Sequence, residues 1–136
     1  MTEFQIWTLF TSGKIGIALT MIASILGIWL SMRIAVAARN SDETNIVAKI
    51  ISSVFGLSVL AMAWRIGVEG ATFYQNVANG LNRIGESGVA LSPSATGFIE
   101  FVGLAEPTGQ PGPVWMVFLA ASLAIILVQI WMPKKK

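Results

Sequence analysis

Residues 114–132, VWMVFLAASLAIILVQIWM, limit what this chain can become more than any other stretch. They carry no charge, no proline and no glycine, and Pro113 and Pro133 stand at the two ends. An apolar run of roughly 19 residues is long enough to cross the hydrocarbon core of a bilayer as a helix. Trp115 and Trp131 lie near its ends, and Lys134, Lys135 and Lys136 follow. Indole rings favour membrane–water interfaces, and a lysine cluster favours the cytoplasmic side. The run predicts a transmembrane helix, and the remaining residues have to be read in that setting.

Composition points the same way. Of 136 residues, 54% are hydrophobic and 12% are charged, about half the charge usual in a soluble domain. The size suits one membrane domain with no separate soluble unit. Cysteine and histidine are both absent, which excludes disulfides, thiolate ligands, imidazole bases and histidine-held metals or haem. No phosphate-cradling loop of the G-x-x-x-x-G-K type occurs. Net charge is only +2, and the basic residues do not line a soluble face, so nucleic acid is not an expected partner.

Two more spans can be marked. Residues 14–38 contain an uncharged stretch of about 18 residues between Lys14 and Arg33, enough for a second crossing. Residues 46–68 form a third, provided Lys49 and Arg65 place their stems in the apolar zone and their charges at the interfaces. Before the first span, residues 1–13 read as an interfacial segment with Phe4, Trp7 and Phe10 at three-residue spacing, and Ser12 is placed to cap the helix after it. This segment lacks the basic start and small-residue cleavage site of a signal peptide. The link 39–45, RNSDETN, is short and polar, so its flanking helices should be antiparallel neighbours. Asp42 or Thr44 is expected to cap the second span. Asp42 and Glu43 suit the positive end of that helix dipole, and as adjacent acids in a turn they read as solvated rather than as a metal site.

The connection 69–113 is too long to lack structure in a compact unit. Phe73, Val77, Leu81 and Ile84 recur at helical spacing, with Gln75, Asn76, Asn79, Asn82 and Arg83 on the other side. That pattern predicts an amphipathic helix that continues the second span or lies along the bilayer. Gly85 and Gly88 should stop it. Residues 89–97 read as turn-rich, 98–105 as a short apolar docking segment, and 106–113 as a rigid turn run. The expected fold is thus an all-α integral membrane protein, with three transmembrane helices and an amphipathic extracytoplasmic helix. The basic tail 133–136 follows the last span.

Lysine and arginine placement gives an orientation. With the 39–45 link and the tail in the cytoplasm, Arg33, Arg39, Lys49 and the three terminal lysines are inside, while Lys14, Arg65 and Arg83 are outside. The expected location is a bacterial inner membrane, N-terminus out and C-terminus in.

Candidate contact residues follow from the spans. Ala23, Gly27, Ser31 and Ala35 form a row of small residues four apart, the kind of surface that lets helix backbones approach in lipid. Ser52 and Gly56 form a shorter one. Arg65 and Glu69, also four apart, share a helix face as the one charge pair expected near membrane depth. No catalytic constellation emerges, and neither a metal nor a cofactor is expected; a bound lipid is compatible with the sequence. The role this implies is that of a small non-catalytic accessory subunit in a larger membrane complex. Its partners would be lipids and other integral subunits or copies of itself. The alternative is a homo-oligomeric pore, transporter or polymer-forming subunit, in which Arg65 and Glu69 would face water.

Overall fold

A computed structural model describes residues 1–42 and 44–132. Glu43 and residues 133–136 lie outside the described residues, as do the expectations for Glu43 and the basic tail. Among the described residues there are four helices and no strand: α1 (Glu3–Asn40), α2 (Ile46–Glu86), α3 (Pro93–Val102) and α4 (Pro113–Trp131). α1, α2 and α4 are long and apolar enough to cross a membrane.

Each helix start has a local cause. α1 begins eleven residues before Lys14 because Thr2, not Ser12, is its N-cap. Gln5 N–H donates to the Thr2 hydroxyl, and Thr2 N–H donates to the Gln5 side chain at 2.8 Å, a reciprocal capping box. No proline interrupts the next 38 residues. α2 is capped by Asn45, whose side chain accepts from Ala48 N–H at 3.0 Å, rather than by Asp42 or Thr44. It then runs unbroken for 41 residues, so residues 73–84 belong to the same helix as residues 46–68. α2 ends before Gly88, whose φ of +87° suits glycine alone. α3 corrects the turn reading of 89–97: Ser92 is its N-cap and Pro93 its first residue, the position where proline's fixed φ and missing N–H cost nothing. Pro113 plays the same part in α4.

α1 and α2 are antiparallel. Along their seam, Ile6 lies beside Gly80, Phe73 beside Gly13, Ile17 beside Gly70 and Val59 beside Gly27. α4 fits against both, with Trp115 on Gly67 and Ile126 on Gly56. At 1.5 Å per residue, α4 is about 28 Å long, whereas α1 and α2 reach about 57 and 62 Å. The first dozen residues of α1 and the last seventeen or so of α2 therefore project beyond the start of α4 as a two-helix stalk, and α3 packs on it.

Two cores match these two zones. In the three-helix zone, Ile28 and Ala35 of α1 meet Leu60 and Ala63 of α2 and Leu119, Ile126 and Ile130 of α4. In the stalk, Ile6, Val77, Leu81, Ile84 and Ala95 are buried together. Trp7, Phe10, Phe73, Tyr74 and Phe98 pack beside them, with ring centroids 5.3–6.3 Å apart in edge and stacked contacts.

Candidate interaction surfaces

The small-residue row of α1 does not lie on one surface. Ala35 and Ser31 are buried inside the chain, Gly27 touches Val59, and Ala23 is exposed. At 3.6 residues per turn, each step of four advances about 40° past a full turn. From Ala35 to Ala23 the row has rotated by about 120°, enough to carry it from the core to the outside. Gly56 is buried where the three helices meet, with Ile126 on one side and Ser31 on the other. Ser52 is half-buried one turn away. The structure thus brings Ser31 and Gly56 together within the chain and leaves Ala23 facing outward, in a groove with Thr20, Met62 and Ile66.

Arg65 and Glu69 point away from the bundle. Their nitrogen–oxygen distance is 3.9 Å, and their side chains are 83% and 61% exposed. A pair this open and this long contributes little to folding. Several serine and threonine hydroxyls along the apolar helices are satisfied within their own helix. Ser24, Ser31, Ser53 and Ser58 each donate to the carbonyl four residues back, at 2.8–2.9 Å. Among the described residues, no buried side-chain polar atom lacks a partner.

At the end where α1 stops and α2 starts, sequence reasoning missed a polar clasp. Arg39 donates to the Gln129 side-chain oxygen at 2.8 Å. Trp131 donates its indole N–H to the Ser53 hydroxyl at 3.0 Å, and Lys49 sits 5.8 Å over the Trp131 ring. These contacts tie the last turn of α4 to both longer helices. Arg39 and Gln129 are 90 residues apart, and only the pairing of polarity with similar depth on two spans hinted at them.

A second clasp closes the far end of the stalk. The Glu3 carboxylate accepts from Ser92 N–H at 3.0 Å, from the Ser92 hydroxyl, and from the Trp7 indole at 3.0 Å. Ser92 is also the cap of α3, its hydroxyl accepting from Ala95 N–H. Glu3 therefore brings a negative charge to the positive end of two helices at once. The Ser92 hydroxyl and N–H, then the Trp7 indole, hold the Glu3 carboxyl below the usual carboxylate range. Glu3 is about 16 Å along the helix from Lys14, beyond the apolar stretch.

Between the stalk and the start of α4 lies a groove of about 620 Å³ with mostly apolar walls. Ile17 and Met21 form one side, Gly70 and Ala71 another, and Val114 and Trp115 the end, with Lys14 at the rim. Trp115 closes that end by packing against Gly67 and donating its indole N–H to the Ala63 carbonyl at 3.0 Å. Among the described residues, no cluster of three or more metal-ligating side chains occurs. No protein-family model matches the chain, and no match was found among curated proteins or solved structures.

Proposed function

We propose that the chain inserts into a bacterial inner membrane through α1, α2 and α4, with the stalk and α3 outside. The 39–45 link and the C-terminus then lie in the cytoplasm. In that setting it acts as a small, non-catalytic accessory subunit of a larger membrane complex, packing against other integral subunits. The insertion rests on unmet burial: within the most apolar window of each long helix, only 17%, 17% and 22% of residues are buried inside the chain. Lipid is the solvent that covers such surfaces without penalty.

The observation that carries the accessory role lies on the stalk. Phe4 is 79% exposed and Phe101 86%, with Leu9 and Leu104 exposed as well. Phe4 stands about 15 Å beyond Lys14 along α1, past the reach of the hydrocarbon core. Phe4 on α1 and Phe101 on α3 are among the most exposed large apolar side chains of the chain, and a partner is what would cover such side chains where water would otherwise wet them. A partner subunit whose outer domain rises beside the stalk would cover them. Ser24, Ser31, Ser53 and Ser58, each bonded within its own helix, favour this role over a pore, which needs polar groups free to line a path.

Because the chain has no native cysteine, single cysteines report topology directly. Thr8→Cys and Thr108→Cys should react with an impermeant maleimide in intact spheroplasts, and Ser41→Cys only after lysis. Phe4→Asp combined with Phe101→Asp should shrink the native complex while leaving the chain folded and in the membrane. An unchanged complex would remove the stalk as the docking surface. A complex built only of this chain would replace the accessory role with the homo-oligomeric one.

A further inference from the structure

The groove beside Lys14 differs from the other apolar grooves on the spans. The one between α2 and α4, about 360 Å³ and walled by Leu57, Ala61, Met116 and Leu123, contains no charged residue. The groove at Lys14 is larger, falls in the size range of ligand pockets, and has a cation at its mouth. It exists because Ala18, Gly67, Gly70 and Ala71 are small and because α4 starts late, at Pro113, leaving the α1–α2 seam uncovered on that side. Among the described residues, no carboxylate pairs with Lys14, whose ammonium sits 5.3 Å from the Phe10 ring centroid. The first turn of α4 reinforces the positive rim. Gly112 offers no capping side chain and Pro113 has no N–H, so the Val114 and Trp115 amides are left for an outside acceptor. Lys14 also marks the outer end of the apolar stretch of α1, the depth at which headgroups lie if the membrane reading above holds, and the inference rests on that reading.

We propose that this groove binds one phospholipid with an anionic headgroup. Its phosphate meets Lys14 and the open first turn of α4, and one acyl chain lies along Ile17, Met21 and Ala71. The positive rim selects the headgroup, and the apolar floor holds the chain. The lipid fills the gap left by the late start of α4 and so braces the base of the stalk.

The test uses the full chain, purified in detergent and delipidated. It is titrated with phosphatidylglycerol or phosphatidylcholine of matched chains, and bound lipid is counted by native mass spectrometry. One phosphatidylglycerol should bind in preference to phosphatidylcholine. Lys14→Glu, a change at an exposed position, should weaken that binding at least about fivefold. Ala71→Trp should fill the floor and abolish it, whereas Ala61→Trp, in the uncharged groove, should leave it intact. Helical content and melting temperature of each variant confirm folding. Equal retention of the two lipids by the native chain, or native-like binding by Lys14→Glu or by folded Ala71→Trp, overturns the proposal. Release of the chain from membranes by alkaline carbonate without detergent would instead overturn the membrane reading beneath it.

Discussion

Gly67 is where a single added methyl group should do most damage. A Cβ built there would meet Trp115 Nε1 at 2.6 Å and the Pro111 side chain at 2.8 Å, with Trp115 Cδ1 closer still. Gly67→Ala therefore cannot be absorbed by a flexible side-chain tip; the indole must leave its place. Overpacking of this kind costs about 1–3 kcal/mol. Displacing the indole also breaks its bond to the Ala63 carbonyl, worth about 0.5–1.5 kcal/mol net. Against this, alanine is the better helix former by up to about 1 kcal/mol. The net expectation is a loss of about 1–3 kcal/mol, which lowers the melting temperature in detergent by about 3–10 °C. Gly16→Ala is the matched control, since nothing lies within 4 Å of its added methyl, and it should leave melting unchanged or slightly raised. In a Trp115→Ala background the cost of Gly67→Ala should fall by about 1 kcal/mol or more, because the two changes share one contact. If Gly67→Ala melts with Gly16→Ala, or if its cost persists without Trp115, the packing of α4 on α2 described here is wrong.

Other outcomes follow from the two clasps and the small-residue row. Arg39→Leu and Gln129→Leu should each cost about 1–2 kcal/mol in thermal unfolding, and the double variant less than their sum; strict additivity would mean the 2.8 Å contact contributes nothing. Glu3 has a folded pKa below the usual carboxylate range, so its contribution is complete above that range and is lost as pH falls through the lowered value. Protection of the α3 amides from hydrogen exchange, measured relative to their intrinsic rates at each pH, should accordingly fall on acidification in the native chain and lose this dependence in Glu3→Gln, whose α3 should be less protected at neutral pH. In the row, Gly27→Leu should destabilise the chain itself, because its Cβ already meets Val59 at 3.1 Å. Ala23→Leu should leave stability alone and shrink the native complex only if a partner helix lies in the outward groove.

What the sequence made legible depended on how local each cause is. α4 starts and stops within one residue of the apolar run, because two prolines frame it and its hydropathy has no interruption. The extents of α1 and α2 were harder to see. Lys14 and Glu69 end the apolar windows, but a charge does not end a helix; caps and breakers do, and these are Thr2 and Asn45 at the starts and Ser87–Gly88 at the end of α2. α3 was hidden by Pro93, which signals a break when taken alone and a helix start when Ser92 precedes it. The row of small residues was readable as spacing, yet its rotation out of the core required the geometry of a straight helix. Arg39 with Gln129 and Glu3 with Ser92 are tertiary pairs 90 and 89 residues apart. No local pattern encodes such pairs.

We propose above all that the chain spans the membrane and works as one subunit among different ones. Extraction of native membranes in mild detergent, size separation under native conditions and mass spectrometry of the co-migrating chains test that claim most directly. The chain should travel in fixed proportion with unrelated integral membrane subunits. Migration alone, or as a ring or filament of its own copies, would contradict that proposal.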